Sequence, residues 1–247
     1  MDSVSVFSFR SYPARILELT SAALALVVIV GLLLPEDTQA QQFRWDVSAG
    51  ATASAFQGDP TFFAGQDFFG NDLPTRFEPR LGFTLGIGVR GALTPWLNAR
   101  TGVRYVQGGG VVERELIGPA DGPAEETLTL QLDYLSVPLL AEARLPQPVA
   151  LGLRPFLYGG PALRLSVRST EERVYHSFTI EERAARSANT PTWTASIVTG
   201  TGIAYQLPNG GDLVLDLRYS YGLTDVGIAD HNRRFGTAQA GMQYVLP

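Results

Sequence analysis

Beyond residue 40 the chain alternates between apolar and polar side chains, and no stretch carries a sustained helical period. In 212–221, Leu213, Leu215, Leu217, Tyr219 and Tyr221 fall on one face, and Asp212, Val214, Asp216, Arg218 and Ser220 on the other. In 81–90, Leu81, Phe83, Leu85, Ile87 and Val89 oppose Gly82, Thr84, Gly86, Gly88 and Arg90. The same two-residue period runs through 97–105, 155–168 and 193–205, and more weakly through 43–57 and 234–246. In 127–144 the apolar parity changes: Leu128, Leu130, Leu132 and Tyr134 share a face, then Leu135, Val137 and Leu139 take over. A bulge between Tyr134 and Pro138 would produce that switch. The pattern predicts eight strands.

The connections sort into two kinds. After strands two, four and six they are short and rich in Pro and Gly: Leu93-Thr94-Pro95-Trp96, then residues 145–153, then Pro208-Asn209-Gly210-Gly211. After strands one, three, five and seven they are long and polar, at about 58–79, 109–126, 169–191 and 224–233. Short turns at one end and long loops at the other are the plan of an all-β, eight-stranded antiparallel up-and-down transmembrane barrel. An even strand count puts both ends of such a chain on the short-turn side, the periplasm. One face of the strands holds Gly82, Gly86, Gly88, Gly102, Gly160, Gly200 and Gly202 with several charges; the other is Leu, Val, Ile and aromatic. An eight-stranded lumen is only wide enough for side chains to fill. The small and charged face is therefore expected inside and the Leu/Val face outside, against lipid. A soluble binding barrel of the lipocalin kind would need the reverse. Trp96, Tyr105, Tyr134, Trp193, Tyr205, Tyr219, Tyr221 and Tyr244 are candidates for the aromatic girdles.

The first forty residues change the picture from fold to address. Arg10 and Arg15 precede an uncharged run, Leu19–Leu34, which is shorter than the ~20 residues of a spanning helix. Pro35 follows, and Thr38-Gln39-Ala40 presents small residues where a signal peptidase reads them. Residues 1–40 are thus expected to be a cleaved signal peptide and 41–247 the barrel domain. The alternative is an uncleaved anchor. Composition adds exclusions. The 247 residues include no Cys, which removes disulfides, thiolate metal sites and thiol catalysis. The formal net charge of −5 gives no basic surface for nucleic acid.

Candidate chemistry lies in two places. The first is the lumen, where parity puts Arg100, Arg104, Asp133, Glu142, Arg144, Arg164, Asp216 and Arg218, joined by Arg90 and Arg168. These charges read as a paired plug that locks register, the alternative being an ion path. The second is the first long loop, where Phe62, Phe63, Phe68 and Phe69 are candidates for contact with a partner, a ligand or lipid. Alternatively they fold back over the barrel mouth. Asp67, Asn71 and Asp72 in the same loop match no EF-hand spacing. The only histidines, His176 and His231, fall in predicted loops with no metalloprotease spacing, and no GxSxG element is present. No catalytic residue, metal or cofactor is expected. A barrel enzyme acting on lipid or surface peptide, or a small pore, remains the alternative.

Three segments carry a family resemblance. Asp133-Tyr134-Leu135-Ser136-Val137-Pro138-Leu139-Leu140 resembles the "yLxiPlL" strand of the PorT-like outer-membrane β-barrel family of Bacteroidota. Arg154–Pro161 resembles its following "pyxxxGp" strand, and Leu217–Asp225 its "RYsyGLtdi" strand. The matches keep their order over roughly residues 80–247. The resemblance implies an eight-stranded outer-membrane barrel without enzymatic activity, acting through its extracellular loops as an envelope, interaction or secretion-accessory component. The partners it implies are outer-membrane lipid, the barrel-assembly machinery during insertion, and an extracellular or secretion-system protein. One departure is the C-terminus, Val245-Leu246-Pro247, where such chains usually end in an aromatic residue; Tyr244 is the nearest substitute.

Overall fold

A computed structural model describes residues 43–57, 75–118, 122–145, 147–176, 181–187, 191–224, 226–228 and 231–247. The expected signal peptide, its cleavage point and the loop residues Phe62, Phe63, Asp67, Phe68, Phe69, Asn71 and Asp72 lie outside them. The described chain is strand almost throughout: β1 (Arg44–Gln57), β2 (Thr75–Ala92), β3 (Leu97–Gly118), β4 (Gly122–Arg144), β5 (Leu153–His176), β6 (Glu181–Ser187), β7 (Trp193–Gln206), β8 (Asp212–Gly222), β9 (Val226–Ile228) and β10 (His231–Val245). Neighbours pair antiparallel in the order β1-β2-β3-β4-β5-β7-β8-β10, and β10 pairs back onto β1. Twelve register pairs from Asp46↔Val245 to Gln57↔Arg234 close that circle. Strand β6 extends the sheet beside the far end of β5, and β9 pairs only with the start of β10. The eight-stranded antiparallel barrel expected from the alternation is the observed fold.

Local chemistry explains the short-turn end. Between β2 and β3, the Leu93 and Thr94 amides donate to the Leu97 carbonyl at 2.9 and 3.0 Å, and Thr94 Oγ1 accepts from the Leu97 amide at 3.0 Å. Between β7 and β8, the Leu207 amide donates to the Gly211 carbonyl at 2.8 Å while Asn209 Oδ1 accepts from the Gly211 amide at 3.1 Å. Gly210 turns at φ 83°, a conformation that favours glycine.

The long-loop end departs from expectation. The spans 109–126 and 169–191 are largely strand: β3 and β4 pair out to Gly118↔Gly122, and β5 pairs with β6 from Thr170↔Ser187 to His176↔Glu181. His176 and His231 accordingly sit at strand ends rather than in loops. Polar sequence hid these extensions, because a strand clear of lipid needs no apolar outer face.

Alternation in burial is nearly perfect on β8, where Asp212, Val214, Asp216, Arg218 and Ser220 are buried while Leu213, Leu215, Leu217, Tyr219 and Tyr221 are exposed. Leu81, Leu85, Ile87, Leu157, Leu163, Ile197 and Ile203 are also exposed. The expected parity switch in β4 is not observed. Leu128, Leu130, Leu132, Tyr134, Ser136, Leu140 and Glu142 are all buried, so the even-numbered face points inward throughout. The irregularity near Tyr134 is real, but its extra residue lies on β5: Asp133 faces Arg168 and Tyr134 faces Ser166, leaving Val167 over. A second register shift, between Pro79 and Thr84, does switch a strand. Phe77 packs inward against the core above it, and Leu81 points out below.

Candidate functional site

The lumen is built in layers. At the long-loop end, Phe56 of β1, Val112 of β3, Leu128, Leu130 and Leu132 of β4 and Phe235 of β10 form an apolar cap, with Phe77 against it. The Phe56 and Phe235 rings lie 4.5 Å apart between centroids. In the short-turn half a second apolar cluster, Leu140, Phe156, Tyr158, Ala162, Val198, Ala204, Val214 and Val245, takes mostly the β5, β7 and β8 side. The opposite side, on β1 to β4 and reaching across to β8 and β10, is charged.

That charged side is one connected network. Glu142, fully buried, sits 2.5 Å from Arg144 Nε, 3.6 Å from Arg90 and 3.9 Å from Arg100, and accepts from Asn98 at 3.2 Å. Asp46 lies 3.6 Å from Arg90 and 3.4 Å from Arg100. Gln243 bridges two acids' partners: its Oε1 accepts from Arg100 at 2.5 Å and Arg90 at 3.3 Å, and its Nε2 donates to Asp216 at 2.5 Å. Asp216 also accepts from the Tyr158 hydroxyl at 2.5 Å and pairs with Arg218 at 3.4 Å. The Arg218 guanidinium donates to Tyr158 Oη at 3.1 Å and lies 5.2 Å from that ring's centroid. At the short-turn mouth Asp212 holds Arg44 at 2.8 Å. Alternation puts these groups inside, and the low dielectric there makes mutual pairing obligatory.

Glycine on β7 makes room for the inward rings of β5. A Cβ on Gly200 would stand 2.3 Å from the Tyr158 ring, and one on Gly202 2.4 Å from the Phe156 ring. Sequence reasoning took these glycines as a sign of a small-residue interior. They are instead gaps that large neighbours fill.

Of the expected lumen charges, Arg100, Glu142, Arg144, Asp216 and Arg218 meet in this network, and Arg90 joins them. Arg104 is buried in the same lumen beside a small recess shared with Asp216, Gln239 and Gln243. Arg164 is buried higher up, its guanidinium 4.7 Å from the Tyr134 ring and donating to Ser220 Oγ. Asp133 is buried but odd-numbered on β4, registered between Gln107 and Arg168, and none of the described ion pairs joins it to the network. Arg168 is exposed rather than inward, because the bulge at Val167 reverses its side. Tyr134 is no girdle residue: only 8% exposed, it shares a hydrogen bond with Thr237 at 3.2 Å. Sequence reasoning missed Asp46, Tyr158, Asp212 and Gln243 as members of the network. For Asp46 the signal was present, since it sits between the exposed Trp45 and Val47, and for Asp212 the β8 alternation already put it on the face of Asp216 and Arg218.

A closed barrel with an apolar exterior and a lumen filled by paired charge is a transmembrane β-barrel, because the same exterior in water would be one continuous apolar patch. A family model for outer membrane protein beta-barrel domains matches residues 39–227, and the chain belongs to that family. Among solved structures it is similar to Ail, the attachment invasion locus protein of Yersinia pestis, at 14% identity and a TM-score of 0.36 over 83% of this chain and 99% of that one. It is also similar to Neisserial surface protein A at 16% identity and 0.37, over 81% and 95%, and to the outer membrane protease OmpT of Escherichia coli at 9% and 0.31, over 85% and 99%. No curated protein matches the chain.

Proposed function

We propose that the protein is a non-enzymatic outer-membrane barrel of the PorT-like type with a closed lumen. Its strand extensions and long loops face the outside of the cell, and its short turns and both chain ends face the periplasm. It acts at the outer face as an envelope, interaction or secretion-accessory component. The observation that carries this reading is the contrast between the two parts of the barrel. Below, an apolar cap and a buried ion network fill the lumen. Above, β3 and β4 run on past the cap's own Val112 and Leu128 to Gly118↔Gly122. Spanning needs only ~9–11 residues per strand, and β3 and β4 have 22 and 23. What the chain invests beyond spanning is outer surface, not a channel or a cleft.

Two measurements test it. Purified protein in planar bilayers should give no steady large conductance; a reproducible open channel would overturn the closed-lumen reading. Protease added to intact cells should cut between β3 and β4 and spare the short turns; the opposite pattern would invert the orientation.

A further inference from the structure

Beneath the apolar cap lies a cavity of about 40 Å³ lined by Tyr134, Arg164, Ser166, Thr194 and Thr237, with Leu132 and Phe235 above it. A single water needs ~10–15 Å³ of such volume, so the space holds more than one. Its charge is uncompensated. Arg164 is 6% exposed, and no carboxylate among the described residues pairs with it. Its Nε has no hydrogen-bond partner, and its other contacts are the face of Tyr134 and the hydroxyl of Ser220. The next inward residue along β8 from Ser220 is Arg218, another cation, whose acid Asp216 is a further step away. A buried lone guanidinium is costly without a counter-charge.

The same cavity offers hydroxyl donors. One proton is shared between Tyr134 and Thr237, so the hydroxyl that accepts it keeps its own proton to give elsewhere. Ser220, outside the lining itself, accepts from Arg164 and so holds the guanidinium in place. Ser166 and Thr194 line the wall. We propose that this cavity binds a small monovalent inorganic anion of chloride size. The Arg164 guanidinium supplies the charge and the hydroxyls complete the coordination, giving the lumen a built-in counter-ion where it has no acid. This inference stands whatever the outer surface contacts.

The test is equilibrium urea unfolding of the full barrel in detergent, followed by tryptophan fluorescence, in sodium chloride or bromide against sodium isethionate at equal ionic strength. Raising chloride to ten times its dissociation constant should lower the unfolding constant about tenfold. Arg164→Gln should abolish the chloride effect, and Arg173→Gln, at the rim, should keep it. Crystals grown in bromide should show an anomalous peak within hydrogen-bond reach of Arg164. Equal stability in all three salts, a chloride effect that survives Arg164→Gln, or a cavity holding only water would each overturn the proposal. If Arg164→Gln does not fold, Thr237→Val takes its place: weakened chloride stabilisation and a weaker bromide peak support the site, and no change in either refutes it.

Discussion

Glu142 draws three arginines, Arg90, Arg100 and Arg144, onto one fully buried carboxylate. Glu142→Ala would leave those cations facing one another in the lumen, and should lower unfolding stability by about 3–5 kcal/mol in a denaturant titration. Gly200 is sensitive for a different reason. Its missing Cβ is the space of the Tyr158 ring, so Gly200→Ala should cost about 1–3 kcal/mol, with part recovered when Tyr158→Leu is combined in a double-mutant cycle. Residues of these two kinds were legible to different degrees. Parity alone placed Glu142, Asp216 and Arg218 inside. It could not connect Gln243 to Asp216 or Tyr158 to Arg218, since those contacts depend on which strands close the circle and in what register. Nor could it place the candidate loop residues Phe62, Phe63, Phe68 and Phe69, where no period exists to read.

At the level of the strand, β8 puts opposite environments one residue apart. Leu215 is exposed on the lipid side, and Leu215→Arg should cost about 2–4 kcal/mol in bilayer or detergent unfolding. Val214→Thr would be silent in a polar lumen, but Val214 is fully buried among Leu140, Phe156, Ala204 and Val245. The substitution should therefore cost about 1–3 kcal/mol, the penalty of an unmatched hydroxyl in an apolar site. The same apolar lining explains why β4 misled the pattern. Where the lumen is lined by Leu128, Leu130 and Leu132, hydrophobicity marks the inside; below, where Leu135, Val137 and Leu139 meet lipid, it marks the outside. Period two identifies two faces but not which one looks inward. In β4 the even-numbered face looks inward over the whole length, while the apolar face changes from the inner one to the outer one.

The whole barrel should behave as one unit, with an unboiled sample migrating anomalously on a denaturing gel and heating abolishing the shift; identical mobility before and after heating would contradict a folded membrane barrel. Its closing contact is the β1–β10 ladder, where the Leu246 amide donates to the Trp45 carbonyl at 2.8 Å and Arg44 reaches the Leu246 carbonyl at 3.0 Å. That ladder matches the other strand pairs in kind: antiparallel, continuous over twelve residue pairs, and lined inside by Asp46 and Gln243 of the common ion network. The sheet therefore has no preferred starting point. A circularly permuted chain, with residues 43 and 247 joined by a short linker and new ends opened between β3 and β4, should assemble the same cylinder with the same ion network. Strand order around the ring, rather than order of synthesis, would then be what specifies the molecule.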